Sequence, residues 1–218
     1  QEVVDRNGWC GGQSMAFKLE GTGLRLAKSY ESDPSQAPYL RVTFDPDSVP
    51  ASPGGCINKE VSSRVKSGSD DAEEATTGAM SLSSSDLELV NDGVDQKVGV
   101  RFQNVQVVQG STIVDAYIEF AVDETTSQFT SVTFKGHDVD DSSTFTTANN
   151  DISNRSTTTT GITWNVSSWD LLQAKEQTPD LSSIVQEIVN RPGWATGNSL
   201  SFIMSGTGKR VAEAYDGS

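Results

Sequence analysis

The first 33 residues of the chain are repeated by its last 33 residues. Residues 1–33 align without a gap on residues 186–218, and 15 of the 33 pairs are identical. Self-similarity at a fixed spacing is typical of repeated structural units. We therefore divide the chain into the C-terminal tail of a preceding module at 1–44, a linker at 45–60 and a second module at 61–218. The linker, DPDSVPASPGGCINKE, is rich in proline and glycine.

The second module has the pattern of short antiparallel strands. Apolar and polar residues alternate along residues 96–107, 112–124 and 131–139, which is the period of a half-buried strand. Only residues 181–191 have helical spacing, with Asp180 or Ser182 as the N-terminal cap and Pro192 as the stop. We predict an all-β fold, an antiparallel jelly-roll-like β-sandwich with one short helix. Two stretches are expected to be loops: an acidic one around residue 70 and a Ser/Thr-rich surface excursion over 140–160.

The chain is strongly acidic, with a formal net charge of −14. A nucleic-acid partner is not expected, because such binding depends on Lys and Arg that neutralise phosphates. The sequence contains no run of 18 apolar residues, so membrane insertion is not expected either. The acidity fits a self-repelling surface, a salty environment or cation binding.

Several segments resemble the DNRLRE-type β-sandwich modules. They are VGVRFQNVQVVQGSTIVDAYIEFAVDE, TPDLSSIVQEIVNRPGW and APYLRVTF. The resemblance covers residues 61–218 and again 1–44. It implies a jelly-roll-like sandwich from secreted or surface proteins of bacteria or archaea, where such modules occur in tandem and some bind carbohydrate.

The APYLRVTF segment at 37–44 has a strong strand pattern in Tyr39, Leu40, Val42 and Phe44. The second module ends before an equivalent strand, which would leave one sheet edge open to pairing. We expect residues 37–44 to complete that sheet by strand addition, within the chain or from a neighbouring molecule. The alternative is that a proteolytic or cloning boundary removed the strand.

The chain has two cysteines, Cys10 and Cys56, and both lie in glycine-rich turns. The second copy of the repeat has Ala195 in place of Cys10, so the fold itself does not need a thiol there. An even count in a turn-rich sequence favours a disulfide and an oxidising compartment. Two unrelated free thiols are the alternative.

Two acidic clusters are candidate calcium sites, because calcium is bound by six to eight oxygen atoms, often from a loop. The first consists of Asp70, Asp71, Glu73 and Glu74, and the second of Asp138, Asp140 and Asp141. Neither cluster has EF-hand spacing, and a solvated acidic loop explains each of them as well. Calcium is the one cofactor that the sequence suggests, and none is required.

The sequence does not favour an enzyme. His137 is the only histidine, and the chain has no GxSxG motif around a serine nucleophile. One histidine and two bridged cysteines also make a zinc site improbable. We therefore interpret His137 as a surface or strand-end residue.

Aromatic residues raise a choice between packing and sugar binding. Trp9 and Trp194 share one repeat position, as do Arg25 and Arg210, and Tyr30 and Tyr215. Residues kept in both copies serve shared packing or a shared site, and we favour packing. Trp164 and Trp169 also fit a packing role.

These observations predict a non-catalytic, extracellular or cell-surface module of a tandem-repeat protein, with a structural or adhesive role. Its partners would be neighbouring copies of itself or adjacent repeats. The alternative is a carbohydrate-binding module that targets an attached enzyme to a polysaccharide.

Overall fold

The computed structural model describes Val3, residues 15–23 and residues 60–217. The chain divides into two units, Gln1–Glu60 and Val61–Ser218. The second unit contains all the regular strands and the helix of the described residues.

Ten strands and one helix follow one another in the second unit. Their bounds are β1 Asp71–Ala75, β2 Met80–Ser81, β3 Asp86–Glu88, β4 Gln96–Phe102, β5 Glu119–Glu124, β6 Thr130–His137, β7 Thr157–Val166, β8 Lys175–Gln177, α1 Ser182–Val189, β9 Leu200–Thr207 and β10 Val211–Glu213. A 3-10 turn, Tyr215–Gly217, follows β10.

The strands form two antiparallel sheets. One sheet has six strands in the order β2-β1-β4-β9-β6-β7, and the other has four in the order β3-β10-β5-β8. The predicted all-β sandwich with a single short helix is therefore confirmed for the described residues. The alternating patterns at 96–107, 112–124 and 131–139 correspond to β4, β5 and β6, although β4 and β5 are shorter than the patterns.

The main core fills the space between the two sheets and under α1. Burial of one large apolar side chain stabilises a fold by about 1.5–3 kcal/mol, so this layer dominates the stability of the unit. Its largest members are Leu89, Phe120, Phe134, Trp164, Trp169, Leu181, Ile184, Ile188, Trp194, Phe202 and Met204.

A second, smaller core lies on a different part of the six-stranded sheet. Phe145 and Ile152 are buried there against Ala72 and Ile203. The Arg155 guanidinium stacks over the Phe145 ring, 4.1 Å from its centroid. The prediction of a surface excursion over 140–160 is therefore wrong in part, because two isolated apolar residues anchor this polar segment to the sheet. Its last residues also belong to β7.

The helix α1 begins at Ser182, but the residue at its N-cap is Leu181, so the prediction of Asp180 or Ser182 as the cap is wrong. The Asp180 carboxylate accepts hydrogen bonds from the Ser182 N–H, at 2.8 Å, and from the Ser182 hydroxyl. This satisfies one of the N–H groups that a helix start leaves without a partner. The helix ends at Val189, before Pro192, and buries Ile184, Ile188 and Val189.

The two copies of the repeated segment differ in structure. In the second copy, β9 lies between β4 and β6 at the centre of the larger sheet, and β10 lies between β3 and β5. In the first copy, the described residues 15–23 form no strand and are mostly exposed. Residues 15–22 therefore do not form the strand that their repeat equivalents form in β9.

Candidate functional site

The first acidic cluster lies on a strand, and the prediction of an acidic loop there is wrong. Asp71, Glu73 and Glu74 belong to β1, and all four carboxylates of the cluster are buried. Successive side chains of a strand point to opposite faces, so the four carboxylates do not converge on one point. The strand was not predicted because its sequence, DAEEA, lacks the alternation of apolar and polar residues by which buried strands are usually recognised.

Hydrogen-bond donors of the protein already occupy these carboxylates. Asp70 accepts from the Arg101 guanidinium at 2.5 Å and from the Gln103 amide. Glu74 accepts from the N–H groups of Ile152 and Ser153, both at 2.8 Å. Asp71 accepts from the Tyr215 N–H. Buried polar groups need such partners, and these bonds explain how β1 can be both acidic and buried.

Glu73 and Glu88 form a carboxyl pair between the two sheets, since Glu73 is on β1 and Glu88 is on β3. Burial, then a hydrogen bond with the Glu88 carboxylate, raises the pKa of Glu73 from 4.5 to about 8. Glu73 Oε1 accepts the Glu88 N–H at 3.0 Å and the Gln96 amide at 2.9 Å. At this pKa, Glu73 is mostly protonated at neutral pH.

A cavity of about 320 Å³ opens beside this pair. Its polar lining consists of Glu73, Ser81, Ser84, Glu88, Asp92 and Gln96. The printed contact that joins Glu73 and Glu88 beside this cavity is the bond from the Glu88 N–H to Glu73 Oε1, at 3.0 Å.

The second acidic cluster surrounds one arginine. The Arg191 guanidinium binds Asp138 and Asp140, at 2.7 Å for the Asp140 carboxylate, and these bonds raise the pKa of Arg191. Asp141 accepts the Ser199 N–H at 2.7 Å. The structure therefore brings Asp138 and Asp140 together, as the sequence suggests, but with Arg191 between them. Calcium binding at either cluster stays a prediction, and an ion would have to displace these donors.

Another acidic group was not predicted from the sequence. One oxygen each from Asp86, Asp123 and Glu124 lies within 4.8 Å of the others. Burial and the nearby Glu213 and Asp86 carboxylates raise the pKa of Asp123. These residues lie on β3 and β5, which are separated by β10, so no local motif could have revealed the group.

His137 lies at the end of β6 and is buried. Its Nδ1 hydrogen-bonds to the Ser142 hydroxyl at 2.8 Å, and Ser142 in turn bonds to Ser201 at 2.7 Å. Burial and the Arg155 charge lower the pKa of His137 to about 4, so its ring is neutral at pH 7. The strand-end interpretation is confirmed, and the surface interpretation is wrong. Both serines are buried, so this network ties β6 to β9 from the inside.

The described tryptophans are core residues. Trp164 is 9% exposed, Trp169 is 0% exposed and Trp194 is 3% exposed, which leaves no ring face for a sugar. Trp164 stacks on Phe120, with ring centroids 6.4 Å apart, and the Trp194 indole N–H donates to the Val107 carbonyl. The packing interpretation is confirmed for these three residues.

Arg210 is a buried structural cation. Its guanidinium donates to the carbonyl oxygens of Gln128, Val166, Ser167 and Lys209 and to the Thr130 hydroxyl. Burial lowers its pKa, while the carbonyl oxygens that accept its hydrogen bonds favour the charged form. Arg210 thereby joins β10 to the first residue of β6 and the end of β7.

Several predictions fall on residues that the structure does not describe. Both cysteines, Cys10 and Cys56, and the donor strand with Tyr39, Leu40, Val42 and Phe44 lie outside the described residues. So do Trp9, Arg25 and Tyr30. The disulfide and the strand donation remain predictions.

No protein-family model matches the chain, and no curated protein matches it. The resemblance to DNRLRE-type modules thus rests on the sequence segments alone. Among the described residues, no helix is long and apolar enough to cross a membrane.

Proposed function

We propose that this chain is a non-catalytic structural or adhesive module of a tandem-repeat protein outside the cell. It assembles with neighbouring copies or adjacent repeats by strand complementation, with residues 37–44 as a donor strand. A surface or filament-forming protein is the expected parent.

One observation carries this proposal: the segment that is repeated in the sequence forms buried structural elements of the sandwich. In the second copy it supplies the second half of α1, the buried Trp194, the central strand β9 and the buried Arg210. Each of these packs or bonds inside the sandwich. A repeat of such a segment supports a structural role, because the repeated residues build the fold and do not form a reactive centre.

The surface chemistry supports the same function. The acidic residues singled out by sequence bond to protein donors, while a net charge of −14 keeps the exposed surface well hydrated. Such a surface fits a structural module whose sheet faces must not aggregate. Association would then occur at sheet edges, where backbone groups are free to pair.

Deletion of residues 37–44 tests this proposal. We expect the intact chain to form assemblies whose mass grows with concentration in sedimentation, and the deleted chain to lose them. A glycine-serine sequence of the same length in place of 37–44 is the matched control, because it keeps the spacing and removes the strand pattern. If the intact chain and the chain without residues 37–44 are equally monomeric and equally stable, the proposal fails.

Carbohydrate binding is the second candidate, and the exposed aromatic rings favour it. Tyr117, Phe129 and Tyr215 keep 49%, 75% and 44% of their surface exposed. Affinity electrophoresis in polysaccharide gels separates the two functions. Retardation that is lost in Phe129→Ala or Tyr117→Ala would favour the carbohydrate-binding module, whereas assembly without any sugar favours the structural module.

A further inference from the structure

The outermost strands of the two sheets differ in length and charge. The smaller sheet ends in β3 and β8, which have three residues each and carry Asp86, Glu88, Lys175 and Glu176. The larger sheet ends at one side in β2, which has only two residues. Short or charged edge strands resist pairing with another chain. At the other side, β7 has ten residues, TTTTGITWNV, with neither a charge nor a proline among them.

Side chains of the same molecule cover both ends of the β7 edge. The Glu187 carboxylate accepts from the N–H groups of residues 159–160, at 2.7 and 2.9 Å. At the other end, the Arg210 guanidinium donates to the Val166 carbonyl at 3.1 Å. Residues 161–165 lie between these contacts. They pair with β6 on one side and, in the part of the chain that the structure describes, with no strand on the other.

An antiparallel copy of residues 161–165 matches this open window side chain by side chain. With Thr163, the middle residue, opposite its own equivalent, Gly161 faces Asn165 of the second copy on the exposed side of the sheet. On the core side, Ile162 faces Trp164 of the second copy. Thr–Thr pairs and pairs of an aromatic with a β-branched residue both stabilise antiparallel strands. Ile162 is only partly buried, so the pairing also covers more of its side chain.

The charges of the molecule favour contact at the same window. The chain has a net charge of −14, so two copies repel each other in general. Residues 161–165 are neutral, and Lys135 of β6 packs over Gly161 at their border. In the paired arrangement each Lys135 lies beside Asn165 of the other copy. The two lysines are then at opposite ends of the contact and do not face each other.

We propose that residues 161–165 of β7 form a twofold contact with the same residues of a second copy of this chain. The two six-stranded sheets continue into each other there, with Thr163 on the twofold axis. A twofold contact uses the same surface on both copies and closes after two of them. It therefore differs from strand complementation by residues 37–44, and it does not require that complementation.

Charge reversal on the axis tests this contact, because residue 163 meets itself. Thr163→Lys and Thr163→Glu each place like charges directly opposite each other. We expect each variant alone to dimerise several-fold more weakly than the wild type in sedimentation, and an equimolar mixture of the two to restore dimers with one chain of each kind. Thr133→Lys is the matched control, since Thr133 pairs with Thr163 from β6, one strand inside the edge. It should dimerise like the wild type.

Three results would overturn the inference. They are a wild type that stays monomeric at every concentration, Thr163 variants that dimerise as tightly as the wild type, and single variants that do not recover on mixing. Exchange of the backbone amides of residues 161–165 in the wild type needs no variant. Their protection should rise with the dimer fraction, and protection that is independent of concentration contradicts the contact.

The same comparison in chains with the glycine-serine sequence in place of residues 37–44 separates this inference from the proposed function. Dimers that survive the replacement and are lost in Thr163→Lys support the contact through β7. Dimers that disappear on the replacement alone overturn it, because residues 161–165 are unchanged there. Larger assemblies that survive Thr163→Lys and disappear on the replacement support the proposed function by themselves.

Discussion

At the residue scale, the guanidinium of Arg210 holds one end of the sandwich together. It is 1% exposed and donates to four carbonyl oxygens and one hydroxyl. Carbonyl groups left buried without a donor cost about 1–3 kcal/mol each. Four carbonyl groups at this end of the sandwich thus share one side chain as a hydrogen-bond donor.

We expect Arg210→Ala to lower the free energy of unfolding by about 3 kcal/mol or more, since several buried acceptors lose their donor at once. Arg210→Lys should recover only part of the loss, because an ammonium group cannot reproduce the planar fork. Urea unfolding of the three proteins measures both effects. An alanine variant as stable as the wild type would show that water replaces the guanidinium.

Glu73 makes stability depend on pH. Its pKa is raised from 4.5 to about 8 in the folded chain by burial and the Glu88 carboxylate. Between these values the unfolded chain has released a proton that the folded chain keeps. Stability from this group is complete below pH 4.5 and is lost as the pH rises through about 8.

Glu73→Gln should remove this dependence and make the protein more stable than the wild type at alkaline pH. A glutamine carries no charge at any pH in this range, and its side-chain oxygen can still accept the Glu88 N–H. We expect the wild type to lose up to about 4 kcal/mol between pH 5 and pH 9 relative to the variant. Urea unfolding across this range measures it, with the exposed Glu119→Gln as control. Parallel curves for wild type and Glu73→Gln would contradict the raised pKa of Glu73.

At the element scale, β9 tolerates no side chain at Gly206. A Cβ there would overlap the Ser131 carbonyl oxygen, and the φ of +156 is unfavourable for other residues. We expect Gly206→Ala to destabilise the second unit by about 2–4 kcal/mol. Gly21→Ala, at the same repeat position, should leave its thermal unfolding unchanged. Equal unfolding temperatures for the two variants would contradict the close contact at Gly206 and the open space at Gly21.

The segment between β6 and β7 is fastened by Phe145. Its ring is 1% exposed, fills the space over Gly99 and is covered by Arg155. Phe145→Ala should cost about 3–5 kcal/mol and release this segment. Proteolysis between residues 140 and 156 should become faster, while Phe129→Ala, a change at an exposed ring, should leave the rate unchanged. An equally resistant Phe145→Ala would show that other contacts hold the segment.

The elements that sequence predicts best are those with local signals. The helix and the alternating strands β4 to β6 follow from residue spacing. β1 could not be predicted, because its buried carboxylates accept from the N–H groups of residues 152, 153 and 215, which lie far away in sequence. The Glu73–Glu88 pair and the group of Asp86, Asp123 and Glu124 could not be predicted for the same reason. Only the order of strands in the sheets brings their members together.

At the scale of the whole molecule, the sequence carries two copies of one segment. The second copy supplies β9 at the centre of the larger sheet and β10 between β3 and β5 in the smaller sheet. The proposed assembly would pair residues 37–44 with the edge of such a sheet, where backbone groups are free to bond.

Hydrogen exchange of the backbone amides tests the assembly claim most directly. In dilute protein, we expect residues 200–207 to be strongly protected, because β9 lies at the centre of the larger sheet. Protection of residues 37–44 should rise in proportion to the assembled fraction when the protein concentration is increased. Assemblies in which residues 37–44 still exchange freely, or protection of these residues that does not change with concentration, would contradict strand complementation.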